Sequence, residues 1–319
     1  MISNDILPGL HDIRAAHNRI HTLIHRTPIL NSSSLNRITG CELFFKCENF
    51  QRAGAFKYRG VNNAIIQLVS RSKIDAVATH SSGNHAGALA LASSNFGIKC
   101  YVVMPDNSPQ IKIDAVKEYG AEIVVCQPTL QAREDGLKEV IEKTGATFIH
   151  PYNNFHIIAG QGTAALEILE DMKSIDVIIA PVGGGGLLSG TAIAAKSIKH
   201  DILVFGAEPK GADDAFRSMQ EKRIMPSVNP KTIADGLLTS LGSLTFKAIS
   251  DNVDEILTVS EDSIRKAMLF IWERMKLVVE PSGCVPLAAV LGHRNYFINK
   301  KVAIILSGGN ADIKTIISL

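Results

Sequence analysis

Apolar residues return at helical spacing along residues 8–25 (Leu10, Ile13, Ala16, Ile20, Leu23), and His25-Arg26-Thr27-Pro28 stops that helix. Leu43-Phe44-Phe45 has strand character, and beyond Gly60 the positions Val61, Ile65, Ile66 and Val69 fall on one helical face. From about residue 75 the pattern becomes a regular alternation. A strand (Ala76-Val77-Ala78) is followed by the turn Ser81-Ser82-Gly83-Asn84-His85 and an alanine-rich helix through Ala92. Strands at Tyr101-Val102-Val103 and Ile123-Val124-Val125 each precede a helix, near 109–118 and 131–143. After Tyr152 the alternation resumes, with strands near 176–181, 202–207, 255–258 and 302–306. Continuous apolar strands joined through helices predict an α/β protein with open parallel sheets covered on both faces, and ligands at the carboxyl ends of the strands. No linker or internal repeat interrupts the chain. The pattern therefore predicts two closely packed domains around a cleft: a small one of residues 75–152, inserted into a large one of residues 1–74 plus 153–319.

Composition narrows the chemistry. With 319 residues, 46% of them hydrophobic, the chain can bury a large core, and a net charge of +2 offers no basic field for nucleic acid. The expected partner is a small molecule. Five cysteines without CxxC spacing (Cys41, Cys47, Cys100, Cys126, Cys284) read as buried thiols of a reducing compartment. The stretch Met1-Ile2-Ser3-Asn4-Asp5 lacks the pattern of a secretory leader, so a cytoplasmic location is expected. Residues Val177 to Ala195 carry no charge and approach the length of a membrane span, but Pro181 and four glycines divide them into a strand and a helix beginning near Leu187. No membrane segment is expected.

Three turns hold candidate chemistry. Lys57, in the glycine-bounded stretch from Cys47 to Gly60, sits where a strand gives way to a helix, and packing there can lower an amine's pKa enough for attack on a carbonyl. Gly183, Gly184, Gly185 and Gly186 follow a strand and open a helix, so successive backbone N–H groups can turn toward one phosphate at the positive end of a helix dipole. Ser307 ends the last strand at the sheet's carboxyl edge. A nicotinamide oxidoreductase stays open as an alternative, because Glu208 ends the next strand where a ribose-binding acid would stand, although the glycine run does not fit G-x-G-x-x-G. A non-catalytic amino-acid-binding protein is the third class.

Taken in order, "ENFQRAGAFKYRG", "SSGNHA", "AGQGT", "GGGGLLSG", "TIADG", "EPSG" and "LSGGN" resemble the serine/threonine dehydratase and serine racemase family, pyridoxal-phosphate enzymes of fold type II, related in architecture to the tryptophan synthase β chain. The resemblance runs from the first helix to the last strand. It implies that Lys57 carries the cofactor, Phe56 packs beside its ring, Asn84 bonds its phenolic oxygen, Gly183 to Gly186 hold its phosphate and Ser307 meets its pyridine nitrogen. A neutral hydroxyl at that nitrogen keeps charge near the substrate's α and β carbons, which favours loss of a β leaving group over transamination. Lys57 and Ser82 would serve as acid and base on opposite faces of the α carbon. Ser81, Ser82, Asn84, His85 and Asp235 form the implied substrate-binding set, with His85 expected as a buried helix-start hydrogen bond rather than a general base. Arg133 matches a functional arginine of racemase members, yet as a lone residue on a polar helix face it is expected to be solvated.

The resemblance also places a divalent cation, Mg2+ or Ca2+ or Mn2+, on Glu208, the Ala212 carbonyl and Asp214; oxygen ligands alone suit a hard ion. It implies a homodimer and leaves a nucleotide effector open. Ala55 stands where many members have serine, and Tyr152 is the dehydratase-like residue. The expected activity is therefore β-elimination of water from L-threonine and L-serine, giving 2-oxobutyrate or pyruvate and ammonia. A serine or aspartate racemase and a threo-3-hydroxyaspartate dehydratase are the alternatives within the family. The chain ends just after the last strand, so no C-terminal regulatory domain is expected.

Overall fold

The computed structural model describes residues 6–313; the stretch Met1 to Asp5, read for a leader in the sequence, lies outside them. Along the chain run α1 (Leu10–Ile20), β1 (Ile29–Asn31), α2 (Ser33–Thr39), β2 (Glu42–Cys47), α3 (Lys57–Val69), β3 (Ala76–His80), α4 (Asn84–Asn95) and β4 (Lys99–Pro105). Next come α5 (Gln110–Glu118), β5 (Glu122–Cys126), α6 (Leu130–Thr144), β6 (Thr147–Phe148), α7 (Phe155–Asp171), β7 (Val177–Pro181), α8 (Gly186–Ile198) and β8 (Leu203–Pro209). The chain closes with α9 (Asp214–Glu221), α10 (Ser243–Asn252), β9 (Glu255–Val259), α11 (Glu261–Phe270), α12 (Pro281–Gly292) and β10 (Lys301–Leu306).

Two sheets form, a six-stranded one in the order β1-β2-β10-β7-β8-β9 and a four-stranded one in the order β5-β4-β3-β6. Every pairing is parallel except β1 with β2, a three-residue antiparallel edge that the apolar pattern does not signal. Because strand side chains alternate, each sheet feeds two cores. In β7, Val177 and Ile179 enter one core, Ile178 and Ala180 the other; in β10, Val302, Ile304 and Leu306 oppose Ala303 and Ile305. The smaller sheet divides in the same way, with Val77, Val102 and Met104 on one side and Ala76, Ala78 and Val103 on the other.

The apolar Val177-to-Ala195 stretch is β7 followed by α8, and no helix among the described residues is long and apolar enough to cross a membrane. Cys41, Cys47, Cys100 and Cys284 are buried free thiols, with Cys126 half-buried. The first helix is shorter than its apolar spacing predicts. It ends at Ile20 because the N–H groups of Leu23 and Ile24 both turn back to the Ile20 carbonyl, at 2.8 and 3.1 Å.

The third helix starts earlier than its apolar spacing predicts, at Lys57 rather than after Gly60. Its residues Tyr58, Val61, Ala64 and Ile65 share a core with β3 and β4, so this helix lies against the smaller sheet while its start belongs to the larger one. On its other side α3 crosses α7 at two glycines: a Cβ on Gly160 would stand 2.5 Å from the Gly60 Cα. The glycine of "YRG" and the first glycine of "AGQGT" are thus needed together, for backbone contact between two helices.

Candidate active site

Lys57 is held in place by the last strand. The Phe56 N–H donates to the Ser307 carbonyl at 3.0 Å, Ala55 bridges to Gly308, and the Gly309 N–H donates to the Gly54 carbonyl at 2.9 Å. Two turns some 250 residues apart in sequence, the lysine turn and the serine turn, are therefore joined backbone to backbone. The Lys57 Nζ donates to the Pro151 carbonyl at 2.8 Å and lies 5.2 Å from the centre of the Phe56 ring. Burial lowers its pKa to about 8, as expected for an ammonium taken out of water without a carboxylate partner.

Pro151 leads into Tyr152, whose ring lies against Gly184 and whose Cβ would be 3.0 Å from a Cβ on Gly186. Side chains at these glycines would collide with Tyr152, and Gly185 has a φ of +86°, a conformation that favours glycine. Among the described residues the N–H groups of residues 183–187 donate to no partner, while the next ones enter α8, beginning with Ser189 to Gly185 at 2.8 Å. Buried N–H groups left unpaired at the start of a thirteen-residue helix suit an anion. Ser307 is buried, and its hydroxyl makes no hydrogen bond among the described residues. The structure thus brings Lys57, Phe56, the Ser307 turn and the four glycines together.

The predicted substrate-binding residues are more heavily engaged. Asn84 donates to Glu280 Oε1 at 2.6 Å and accepts from Asn310 at 2.9 Å. Asp235 is ion-paired with Lys112 of α5, whose Nζ also lies 4.0 Å from Glu280 Oε2. Burial raises the pKa of Glu280, against the pull of Lys112. This network spans from α4 and α5 to the start of α12 and reaches the turn after Ser307, since a Cβ on Gly308 would stand 2.6 Å from Glu280 Oε1. The Ser81 hydroxyl accepts from the Gly83 N–H at 3.3 Å, whereas the partly buried Ser82 makes no side-chain hydrogen bond among the described residues. His85 is buried, its Nε2 3.2 Å from the Ile149 carbonyl, and burial and then Lys57 hold it neutral. Arg133 is half-buried rather than fully solvated, and bonds the Thr129 carbonyl one turn back at 3.3 Å.

Glu208 does not face the cleft as a ribose-binding acid would. Its carboxylate accepts the N–H groups of Ala215 and Phe216 at 3.0 and 2.9 Å, and burial and then Asp214 raise its pKa to about 9. Asp214 is fully buried, with neither oxygen in a hydrogen bond of good geometry, and burial raises its pKa to about 7. Two adjacent buried carboxylates, one of them unpartnered, beside the buried Ala212, form a donor set that suits a hard divalent cation.

Four charged residues go unassigned in the sequence. Arg59, fully buried one turn into α3, bonds Glu48 through Nε at 2.7 Å and Nη2 at 2.8 Å, and Glu167 through Nη1 at 2.7 Å and Nη2 at 2.9 Å. Lys46 donates to Glu167 at 2.6 Å. Burial works against the Arg59 charge, but Glu48 and Glu167 more than offset it and raise its pKa. The cluster anchors the helix that begins at Lys57. Its only trace in the sequence is charge within apolar surroundings.

A family model described as "Pyridoxal-phosphate dependent enzyme" matches residues 20–308. Serine racemase of Dictyostelium discoideum is 50% identical over 311 residues, covering 96% of each chain, and β-hydroxyaspartate dehydratase of Paracoccus denitrificans (strain Pd 1222) is 46% identical over 307 residues, 96% of this chain and 98% of that one. The structure of maize serine racemase superposes with a TM-score of 0.95 at 44% identity, covering 98% of this chain and 97% of that one. With the lysine turn, the glycine turn and the serine turn brought together, and a family match across nine-tenths of its length, this chain belongs to the pyridoxal-phosphate dependent enzymes, in their fold type II branch.

Proposed function

We propose that this protein is a serine racemase that also eliminates water from serine, in place of the threonine/serine ammonia-lyase that the sequence ranks first. The observation that carries the proposal is the likeness to the Dictyostelium serine racemase over 96% of both chains. Tyr152 and Ala55, which lean toward elimination in the sequence, have packing roles here: the Tyr152 ring covers Gly184, and Ala55 bridges to Gly308.

Pyridoxal phosphate, when bound, supplies an electron sink that acidifies the α C–H of an amino acid. The residues around it divide the remaining work. Lys57 attaches the cofactor, the N–H groups of residues 183–187 hold its phosphate, and the Ser307 hydroxyl meets the ring nitrogen without supplying a full negative charge. The start of α4, with Ser81 and Asn84, receives the substrate carboxylate. A lysine of pKa about 8 is poised to take the α proton near neutral pH, and the Ser82 hydroxyl returns one to the opposite face. If the β hydroxyl leaves with a proton as water instead, hydrolysis yields pyruvate and ammonia.

Residues 75–152 serve in this proposal as the smaller, substrate-side domain, supported by a four-stranded sheet that lies wholly within them. Glu208, Ala212 and Asp214 hold Mg2+ or a similar ion, and the working unit is a homodimer.

The test is to incubate the cofactor-loaded protein and Mg2+ separately with L-serine, L-threonine and L-threo-3-hydroxyaspartate, measuring D-isomer and oxo acid. D-serine with accompanying pyruvate is expected, and Ser82→Ala should abolish the first while sparing more of the second. Oxo acid from hydroxyaspartate without any D-serine would overturn the proposal in favour of the dehydratase activity that the Paracoccus relative's name describes.

A further inference from the structure

A polar cavity of about 200 Å3 lies away from Lys57 between α1, α3 and α7. It is smaller than the ~300–1,000 Å3 typical of sites for drug-sized ligands. Arg19 from α1 and Arg71 just beyond α3 line it, together with Asn63, Gln67, His156 and one carboxylate, Asp12. The Gln67 amide oxygen is turned to Arg19, accepting from Nε at 2.7 Å and Nη2 at 2.9 Å, which leaves Arg71 without that acceptor.

The remaining neighbours do not supply the missing charge. Arg19 Nη1 donates to the Asn63 oxygen at 2.5 Å, and Asn63 is fully buried, fixed from behind by donation to the His156 carbonyl at 2.7 Å. Asp12 is turned to the Gly9 N–H at 2.9 Å. Burial, and then Arg71 and Arg19, hold His156 neutral. Among the described residues neither arginine has a carboxylate partner within 4.0 Å, so the cavity carries two positive charges against the one of Asp12.

We infer that this cavity binds a small tetrahedral oxyanion of the phosphate class, with Arg19 and Arg71 as its ligands. Guanidinium forks match phosphate oxygens, and two forks arriving from different directions, α1 and the end of α3, suit a tetrahedral ion better than a planar carboxylate. The bound ion would tie α1 and α7 to α3, the helix that begins with Lys57 and shares its core with the smaller sheet.

The test uses the cofactor-loaded enzyme, so that the glycine turn is already filled. Inorganic phosphate is titrated in by calorimetry and thermal unfolding at constant ionic strength, with sulfate and acetate as parallel probes. Saturable binding of one phosphate per chain with a rise in melting temperature is expected, with sulfate competing and acetate inactive. Arg71→Gln, an exposed position whose change leaves packing intact, should weaken binding about tenfold, as for loss of a charge-assisted hydrogen bond. Asp12→Asn should tighten it. Absence of saturable binding, unchanged affinity in both Arg19→Gln and Arg71→Gln, or an equal response to acetate would each overturn the inference.

Discussion

Replacing Arg59 by methionine tests how Lys57 is held. The substitution keeps most of the volume but removes four charge-assisted hydrogen bonds to two buried carboxylates. Glu167 retains Lys46 at 2.6 Å, whereas Glu48 retains only the Thr27 hydroxyl, at 2.5 Å. The cost therefore concentrates on Glu48, and breaking one side of a buried ion pair typically costs about 3–5 kcal/mol. For a chain of this length that corresponds to a fall in melting temperature of about 4–8 °C in a thermal unfolding scan. Adding Glu48→Gln removes the stranded charge and should recover at least half of the loss. The deficit of the single variant should also shrink between pH 8 and pH 5, because an orphaned buried carboxylate is forced toward its protonated form. A loss of under about 1 kcal/mol, or a double variant no more stable than the single one, would refute the assignment of Arg59 as the anchor of this helix.

In the cofactor-free protein, a Lys57 pKa of about 8 leaves about one amine in ten unprotonated at pH 7, against about one in three thousand for an ordinary lysine. Cofactor uptake, followed by absorbance, should therefore rise about tenfold per pH unit below 8 and level off above it; a rise continuing to pH 10 would contradict the lowered pKa. The unfolded chain binds the extra proton between pH 8 and the ordinary lysine value, so this group's contribution to stability increases with pH across that window. Gly184→Ala would drive a methyl group into the Tyr152 ring and should weaken cofactor binding about ten- to a hundredfold, measured by equilibrium titration; unchanged affinity would remove Tyr152 from the site's construction. If a cation occupies the Asp214 site, chelation should lower the melting temperature of wild type and Mg2+ should restore it, while Asp214→Asn shows neither response; a full Mg2+ response in that variant would place the ion elsewhere.

Patterns local in sequence determined much of this protein. Continuous apolar runs and period-3.6 spacing mark most of its strands and helices, and the turns at Lys57, Gly183 to Gly186 and Ser307 stand out because each follows an apolar strand and needs small residues. The parallel sheets follow from the same alternation, since helices between strands force the chain to return in the same direction. Tertiary structure alone decided what meets across large separations. Nothing near Lys112 marks it as the partner of Asp235 and Glu280, and nothing near Arg59 marks it as clamped between Glu48 and Glu167. A charge acquires such a role only when folding removes its water and leaves one opposite charge within reach, and no spacing along the chain records that. The same holds for Asn84 and Asp235, expected from their motifs to bind substrate but engaged here by Glu280 and Lys112, and for the cavity at Arg19 and Arg71, whose walls come from three helices.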